Sequence, residues 1–233
     1  MSVLIRVLKF LKLYFLLKKL KYRIMDFLFS KPSGSVMQTA STTFYDRHPD
    51  LFLAVKNIVD DHSFQRDIKV LSFGSSTGEE CFTLRKYFPT AIIVGAEINS
   101  ISRGKAIKNN LDSNIIFIDS VDELIAGSGP YDVIFALSVL CKNPEAMHTD
   151  DLSSIYSFDT FERFVGQLCS NLNTGGWLVI RSSNYSFTDS ELCKEFNVVR
   201  SNLLREPQDF PKFYPNGIRK ENFKEHDEIF QKL

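Results

Sequence analysis

Lys69-Val-Leu-Ser-Phe-Gly-Ser-Ser-Thr-Gly-Glu-Glu80 joins a short apolar run to a turn bounded by two glycines and then to the start of a helix. Val70 to Phe73 have the composition of a buried strand. Gly74 and Gly78 free the backbone where a side chain would block a ligand, and Glu79 opens the helix. Strand, glycine turn and helix in that order make a nucleotide cradle. The glycines are spaced G-x-x-x-G, with Ser75, Ser76 and Thr77 between them, so the G-x-G-x-x-G fingerprint of dinucleotide sites is absent. A pyrophosphate on the positive end of that helix would also meet Glu79 and Glu80 in its first turn. Carboxylates there repel phosphate and attract a cation.

An adenosine ligand with positive charge and no phosphate fits this turn. S-adenosylmethionine (SAM), with its sulfonium and ammonium groups, has that chemistry. Ala91 to Ala96 read as the next parallel strand and end in Glu97, 19 residues beyond Gly78 (97 − 78). A carboxylate at that place accepts both ribose hydroxyls. A glycine turn also serves as a plain tight connection, and Glu79 and Glu80 also suit the helix dipole. The agreement of two independent local signals favours the pocket.

The 233 residues suffice for one α/β domain with short appendages. We divide the chain into a basic amphipathic helix over 1–30, a linker and lead-in helix over 31–66, a SAM-binding core over 67–205, and a tail with a possible last strand over 206–233. Basic and acidic residues balance at 28 each, so no global charge argues for a nucleic-acid partner. Cys81, Cys141, Cys169 and Cys193 stand far apart, as do His48, His62, His148 and His226. The pattern suggests a reducing cytoplasm and no metal site.

After the linker, Leu51, Phe52, Val55, Ile58 and Val59 have helical spacing over Asp50 to Asp60. Strands are expected at 68–73, 91–96, 114–118, 131–137, 176–181 and 195–200, with helices near 79–87, 100–110, 121–126 and 152–172. Asn173-Thr-Gly-Gly176 is expected to stop the last helix. This alternation predicts an α/β fold with a doubly wound, mostly parallel sheet. Gly74, Glu97, Asp119 and Ser138 then follow the first four strands, at the edge where such sheets bind ligands.

With strand, turn and acid in place, the chain resembles class I SAM-dependent methyltransferases and, more narrowly, the chemotaxis receptor methyltransferase group. Three passages are similar: Phe73-Gly-Ser-Ser-Thr-Gly-Glu-Glu80, Tyr131-Asp-Val-Ile-Phe-Ala-Leu-Ser-Val-Leu140, and Gly175-Gly-Trp-Leu-Val-Ile-Arg-Ser-Ser-Asn-Tyr-Ser186. The resemblance implies a Rossmann-like core in which Gly74, Ser75, Thr77 and Gly78 form the cofactor turn and Glu79 faces the cofactor's amino acid end. Glu97, followed by Ile98, would take the ribose, Asp119 and Ser120 the adenine, and Leu137 and Ser138 the strand end beneath the methyl donor. Upstream, Ser41-Thr-Thr-Phe-Tyr-Asp-Arg47 is similar to a threonine and double-aromatic motif ending in arginine, which implies cofactor contacts for Thr43 and Arg47. Two registers fit it, one pairing Thr43 and Arg47 with the motif's polar residues and one pairing its aromatics. Helix capping by Ser41 or Thr42 is the plainer reading.

Beyond the fourth strand the family's asparagine and tyrosine are replaced by Ser138 and Lys142, and no space remains for a receptor-docking β subdomain. The acceptor side should include the loop Cys141 to Leu152, with Glu145, His148, Asp150 and Asp151. Those acids also suit solvent or the cap of a helix starting near Leu152. Tyr185 and Phe210-Pro-Lys-Phe-Tyr-Pro215 either wall an acceptor pocket or simply pack. The expected function is SAM-dependent methyl transfer to a small-molecule, glycan or lipid-linked acceptor. Protein carboxyl methylation and a non-catalytic scaffold are the alternatives.

Residues 1–25 carry Arg6, Lys9, Lys12, Lys18, Lys19, Lys21 and Arg23 with no acid. Arg6, Lys9, Lys12, Lys19 and Arg23 share one side of a helical wheel, opposite Leu4, Leu8, Leu11, Phe15 and Tyr22, while Lys18 and Lys21 fall outside the stripe. No run approaches the roughly 20 apolar residues that span a bilayer. Residues 1–29 are therefore expected to lie on an anionic membrane surface, placing a cytoplasmic protein at the inner face of the membrane. A helix covering a partner or the protein's own core, and a presequence, remain alternatives. Lys31-Pro-Ser-Gly-Ser35 breaks the helix. Replacing Lys9, Lys12 and Lys19 together by Glu should release the protein from anionic vesicles in a sedimentation assay, and high salt should do the same. Retention of a chain lacking residues 1–29 would refute the tether.

Overall fold

The computed structural model describes residues 43–62, 67–199, 210–221, 223 and 228–233. The basic segment 1–30, the linker Lys31 to Ser35, and Ser41 and Thr42 lie outside them. Strands β1 (Lys69–Phe73), β2 (Ile92–Ala96), β3 (Ile115–Ile118), β4 (Tyr131–Leu137), β5 (Leu172–Arg181), β6 (Phe196–Val199) and β7 (Ile229–Lys232) form one sheet. Their order is β3-β2-β1-β4-β5-β7-β6, with β1 to β5 parallel. β7 runs antiparallel between β5 and β6. Helices α1 (Pro49–Asp61), α2 (Glu79–Tyr87), α3 (Ser100–Asn109), α4 (Asp122–Ser128) and α5 (Phe158–Ser170) flank this mostly parallel, Rossmann-like sheet. Among the described residues no helix is long and apolar enough to cross a membrane.

The central strands are nearly continuous apolar runs because both faces are covered, and all seven residues of β4 are buried. Their alternation sorts the core into two layers. Leu71, Val94, Ile134 and Leu178 pack with Phe161, Val165 and Leu168 of α5. Val70, Ile93, Val133, Phe135 and Val179 pack with Leu51, Phe52, Val55 and Val59 of α1. The chain reverses its order of strand addition between β1 and β4, which opens a crevice at their carboxyl ends.

The helix expected over 152–172 is shorter. Ser157 caps it by accepting a hydrogen bond from Thr160 N at 3.3 Å, so α5 starts at Phe158. The residues before it form a turn closed by Tyr156 N donating to Leu152 O. Asp150 and Asp151 therefore cap no helix; Asp151 Oδ1 accepts from Ser153 N at 2.8 Å, and Asp150 lies 3.5 Å from Arg219. Asn173-Thr-Gly-Gly176, expected to stop the helix, lies inside β5. There the register against β4 shifts between Tyr131 and Val133. A Cβ on Gly176 would stand 2.8 Å from Asn173 O and 3.0 Å from Asp132 O, so this irregularity requires a glycine.

Phe230 of β7 is fully buried, its ring centroid 4.9 Å from that of Phe187. Phe230→Ala should cost about 3–5 kcal/mol. In urea titration this should lower the midpoint without changing the slope. A midpoint shift below about 1 kcal/mol would show that β7 is not part of the cooperative core.

Candidate functional site

The turn after β1 is tied to the end of β2. Gly74 N and Ser75 N both donate to Ala96 O, at 2.8 and 3.1 Å. Ser76, with φ of +49°, turns its N–H onto Glu97 Oε2 at 2.7 Å, while Asn99 N donates to Oε1 at 2.7 Å. Glu97 is only 7 % exposed. Its carboxyl is held above the usual range by burial, against the pull of those backbone donors and of Arg103. Both oxygens are thereby oriented, and each retains acceptor capacity. Arg103 of α3 donates to Glu97 O at 2.5 Å and pairs with Asp119 Oδ2 at 3.3 Å, joining the ends of β2 and β3. Ile98 and Ser120 follow these acids, both half-buried. Ser75 and Ser76 have buried hydroxyls without hydrogen-bond partners among the described residues.

The two glycines have a different reason from the one expected. A Cβ on Gly74 (φ +80°) would meet Val139 Cγ2 at 2.6 Å, and one on Gly78 (φ +97°) would meet Phe117 and Phe82 at 3.0 Å each. The space they spare is filled by the protein's own side chains, and both positions need left-handed backbone. A side chain at Gly78 would therefore damage the packing of α2 on β3 as well as the turn.

The paired acids of α2 also part company. Thr77 Oγ1 donates to Glu79 Oε2 at 2.6 Å, whereas Glu80 turns inward to accept from the buried Ser72 hydroxyl at 2.8 Å. Burial pushes the Glu80 carboxyl up to about 7, against the opposing effects of Ser72 and Arg47. Sequence reasoning placed both acids in the first turn but gave the cofactor's amino acid end to Glu79 alone. The signal was Ser72, a hydroxyl in an otherwise apolar run eight residues earlier.

Arg47 donates through Nη2 to Leu137 O at 3.3 Å and through Nε to His48 Nε2 at 3.1 Å. Asp46, with φ of +54°, instead faces outward and accepts from Tyr87 OH at 2.8 Å. Arg47 is thus the inward residue of this segment and Asp46 the outward one. Thr43 opens this segment half-buried, and Phe44 and Tyr45 are exposed. Ser138 ends β4 with φ of +58° while its N–H donates to Arg181 O at 2.8 Å. Turn, Glu97, Asp119, Arg47, Leu137 and Ser138 thus line the carboxyl edge of β1 to β4.

On the far side of β4, Glu145, His148 and Asp150 are exposed. Tyr185 and Phe213 are fully buried and pack on one another, at 6.5 Å between centroids. They are packing residues rather than pocket walls. Lys212 beside them is 6 % exposed and was not singled out, because only docking of the tail reveals its burial.

The raised Glu80 carboxyl has a pH signature. The folded protein holds a proton there that the unfolded chain has lost, between about 4.5 and 7. Its contribution to stability is thus fully present below 4.5 and lost as pH rises through 7. Glu80→Gln should melt above the parent at pH 8, with the gap shrinking by pH 5. A gap independent of pH would mean that Glu80 ionises alike in both states.

A family model described as "Methyltransferase domain" matches residues 44–216. Among solved structures, magnesium protoporphyrin IX methyltransferase from Synechocystis, with bound SAM, aligns over 80 % of this chain and 80 % of its own at 13 % identity and a TM-score of 0.49. The plantazolicin methyltransferase BpumL in complex with SAH aligns over 57 % of this chain and 46 % of its own, at 17 % identity and a TM-score of 0.41. The chain spans about half the length of the plantazolicin methyltransferase structures it matches. No curated protein matches the sequence. With the family model covering most of the chain, from before α1 to the tail that docks beyond β5, the protein belongs to the methyltransferase-domain family.

Proposed function

We propose that the protein is a SAM-dependent methyltransferase acting on a small-molecule, glycan or lipid-linked acceptor. The observation that carries this reading is the buried Glu97 carboxylate at the end of β2, fixed by two backbone donors at 2.7 Å. Family membership supports it. The donor set fits SAM: acids at the turn and at the ends of β2 and β3, and partnerless buried serine hydroxyls in the turn. Glu97 would hold the ribose and Asp119 with Ser120 the adenine. The amino acid end would lie between Glu79 or Glu80 and Arg47, and the methyl group above Leu137 and Ser138.

SAM supplies a methyl carbon already activated for displacement. The chain's task is then to hold the acceptor atom close and in line. The narrower likeness to chemotaxis receptor methyltransferases is proposed for the cofactor turn alone. Protein carboxyl methylation remains the second reading, because a carboxylate acceptor needs no base and the acids of the loop after β4 are exposed. We retain residues 1–29 as a membrane-surface helix and 67–205 as the catalytic core.

Calorimetry should show SAM and its demethylated product binding to the parent chain. Glu97→Ala should weaken both by about 1.5–3 kcal/mol through loss of a charged acceptor. Unchanged affinity in the variant would remove Glu97 from the ribose site, and tighter binding of a nicotinamide dinucleotide would overturn the class.

A further inference from the structure

Arg103 of α3 spans the ends of two neighbouring strands. Its Nη1 donates to Glu97 O at 2.5 Å and its Nη2 to Asp119 Oδ2 at 3.3 Å. The two acids adjoin across the sheet, since Glu97 N donates at 3.1 Å to the carbonyl of Ile118, the residue before Asp119. Like charges so placed repel. Burial raises the pKa of Glu97, and among its charged neighbours Asp119 adds to that rise while Arg103 opposes it. The guanidinium thus stands where two adjoining acids call for a cation.

Its contacts are selective. Arg103 takes the backbone oxygen of Glu97 and leaves that carboxylate to Ser76 N and Asn99 N, whereas it takes a carboxylate oxygen of Asp119. The root of the side chain is held as well. Arg103 N donates to Asn99 O at 2.9 Å, and the Asn99 side chain caps the same helix through Ile101 N and Ser102 N. The side chains of Arg103 and Asp119 are each less than a fifth exposed, so the pair is not of the solvent-screened kind that contributes little.

Resting on the SAM reading, we propose that Arg103 is a positioning residue that sets the base specificity of the cofactor site: by clamping one oxygen of Asp119 it turns the carboxylate's remaining lone pairs toward the amino group of adenine. The terminal torsion of an aspartate is broad, and a fixed contact at one oxygen narrows it. A carboxylate keeps acceptor sites beside the one that Arg103 uses. As an acceptor-only group it receives an amino donor and repels a carbonyl oxygen. The clamped Asp119 therefore discriminates adenine from hypoxanthine, in which a ring carbonyl replaces the amino group, because the wrong base leaves the site's own polar group unpaired.

The test uses the full chain and two ligands followed by calorimetry, the demethylated cofactor and its inosine counterpart. The parent should favour the adenine form by about a hundredfold or more. Arg103→Met keeps helix propensity and removes both contacts. It should weaken the adenine form about tenfold and the inosine form little, so that the ratio falls. A role confined to holding the fold would lower both affinities alike and leave the ratio intact. Arg103→Lys keeps the charge but cannot span both oxygens, so the ratio should fall there too, and this variant decides the matter if Arg103→Met melts early. In an Asp119→Asn background the amide can face either base, and adding Arg103→Met should no longer change the ratio. An unchanged ratio in folded Arg103→Met or Arg103→Lys, or equal affinity of the parent for the two bases, would overturn the proposal. Failure of the parent to bind either ligand would overturn the SAM reading instead.

Discussion

Two backbone N–H groups converge on one buried carboxylate, and the ligand edge of the sheet is organised around that contact. Ser76 brings the turn after β1 onto Glu97, and Asn99 brings the start of α3 onto the same side chain. The carboxylate therefore ties together the turn after β1, the end of β2 and the start of α3. Burying a charge is costly unless donors surround it. Two backbone N–H groups and the nearby Arg103 guanidinium offset part of that cost at Glu97, whose carboxyl burial still holds above its usual range. Asn99 repays the arrangement locally: its side chain accepts from Ile101 N and Ser102 N, capping the helix that carries Arg103.

The strands were legible because their signal is local. Both faces of β1, β2 and β4 are covered, so each reads as an apolar run, and expected and observed bounds differ by one residue or less. The start of α5 was illegible for the same physical reason in reverse. Leu152, Ile155 and Tyr156 continue the helical spacing of Phe161 and Val165, yet Leu152 and Tyr156 are buried in a turn that packs like a helix without being one. The four residues of β7 carry no pattern of their own. Their pairing with β5 and β6 is set by partners far away in sequence.

The candidate site divides along the same line. Glu97 could be singled out because its place depends on strand length and one turn, both local quantities. Adjacent acids on a helix point about 100° apart, so whether Glu79 or Glu80 faces inward depends on how α2 rolls onto β1, which the turn sequence does not state. Arg47 was named but its register was open. Asp46 adopts left-handed backbone, so its side chain and that of Arg47 point to opposite sides, which the sequence does not state. Lys212 is the extreme case, a surface-type residue in sequence that becomes buried only when Phe213 N donates to Asn184 O and Asn184 Nδ2 to Pro211 O.

Charged groups of both signs stand at the carboxyl edge of the sheet. Glu79, Glu80, Glu97 and Asp119 follow β1 to β3, where Arg103 pairs with Asp119, and Arg47 reaches the end of β4 at Leu137 O. Arg47 is close enough to Glu80 and to Cys141 to influence both. It is also held from behind, because His48 contacts Arg181, which pairs with Glu228 just before β7. The antiparallel strand that completes the sheet thus also fixes the arginine at its opening. Fixed charges held in this way can orient a ligand without contacting the atoms that react, a useful property in a site whose chemistry is chiefly alignment.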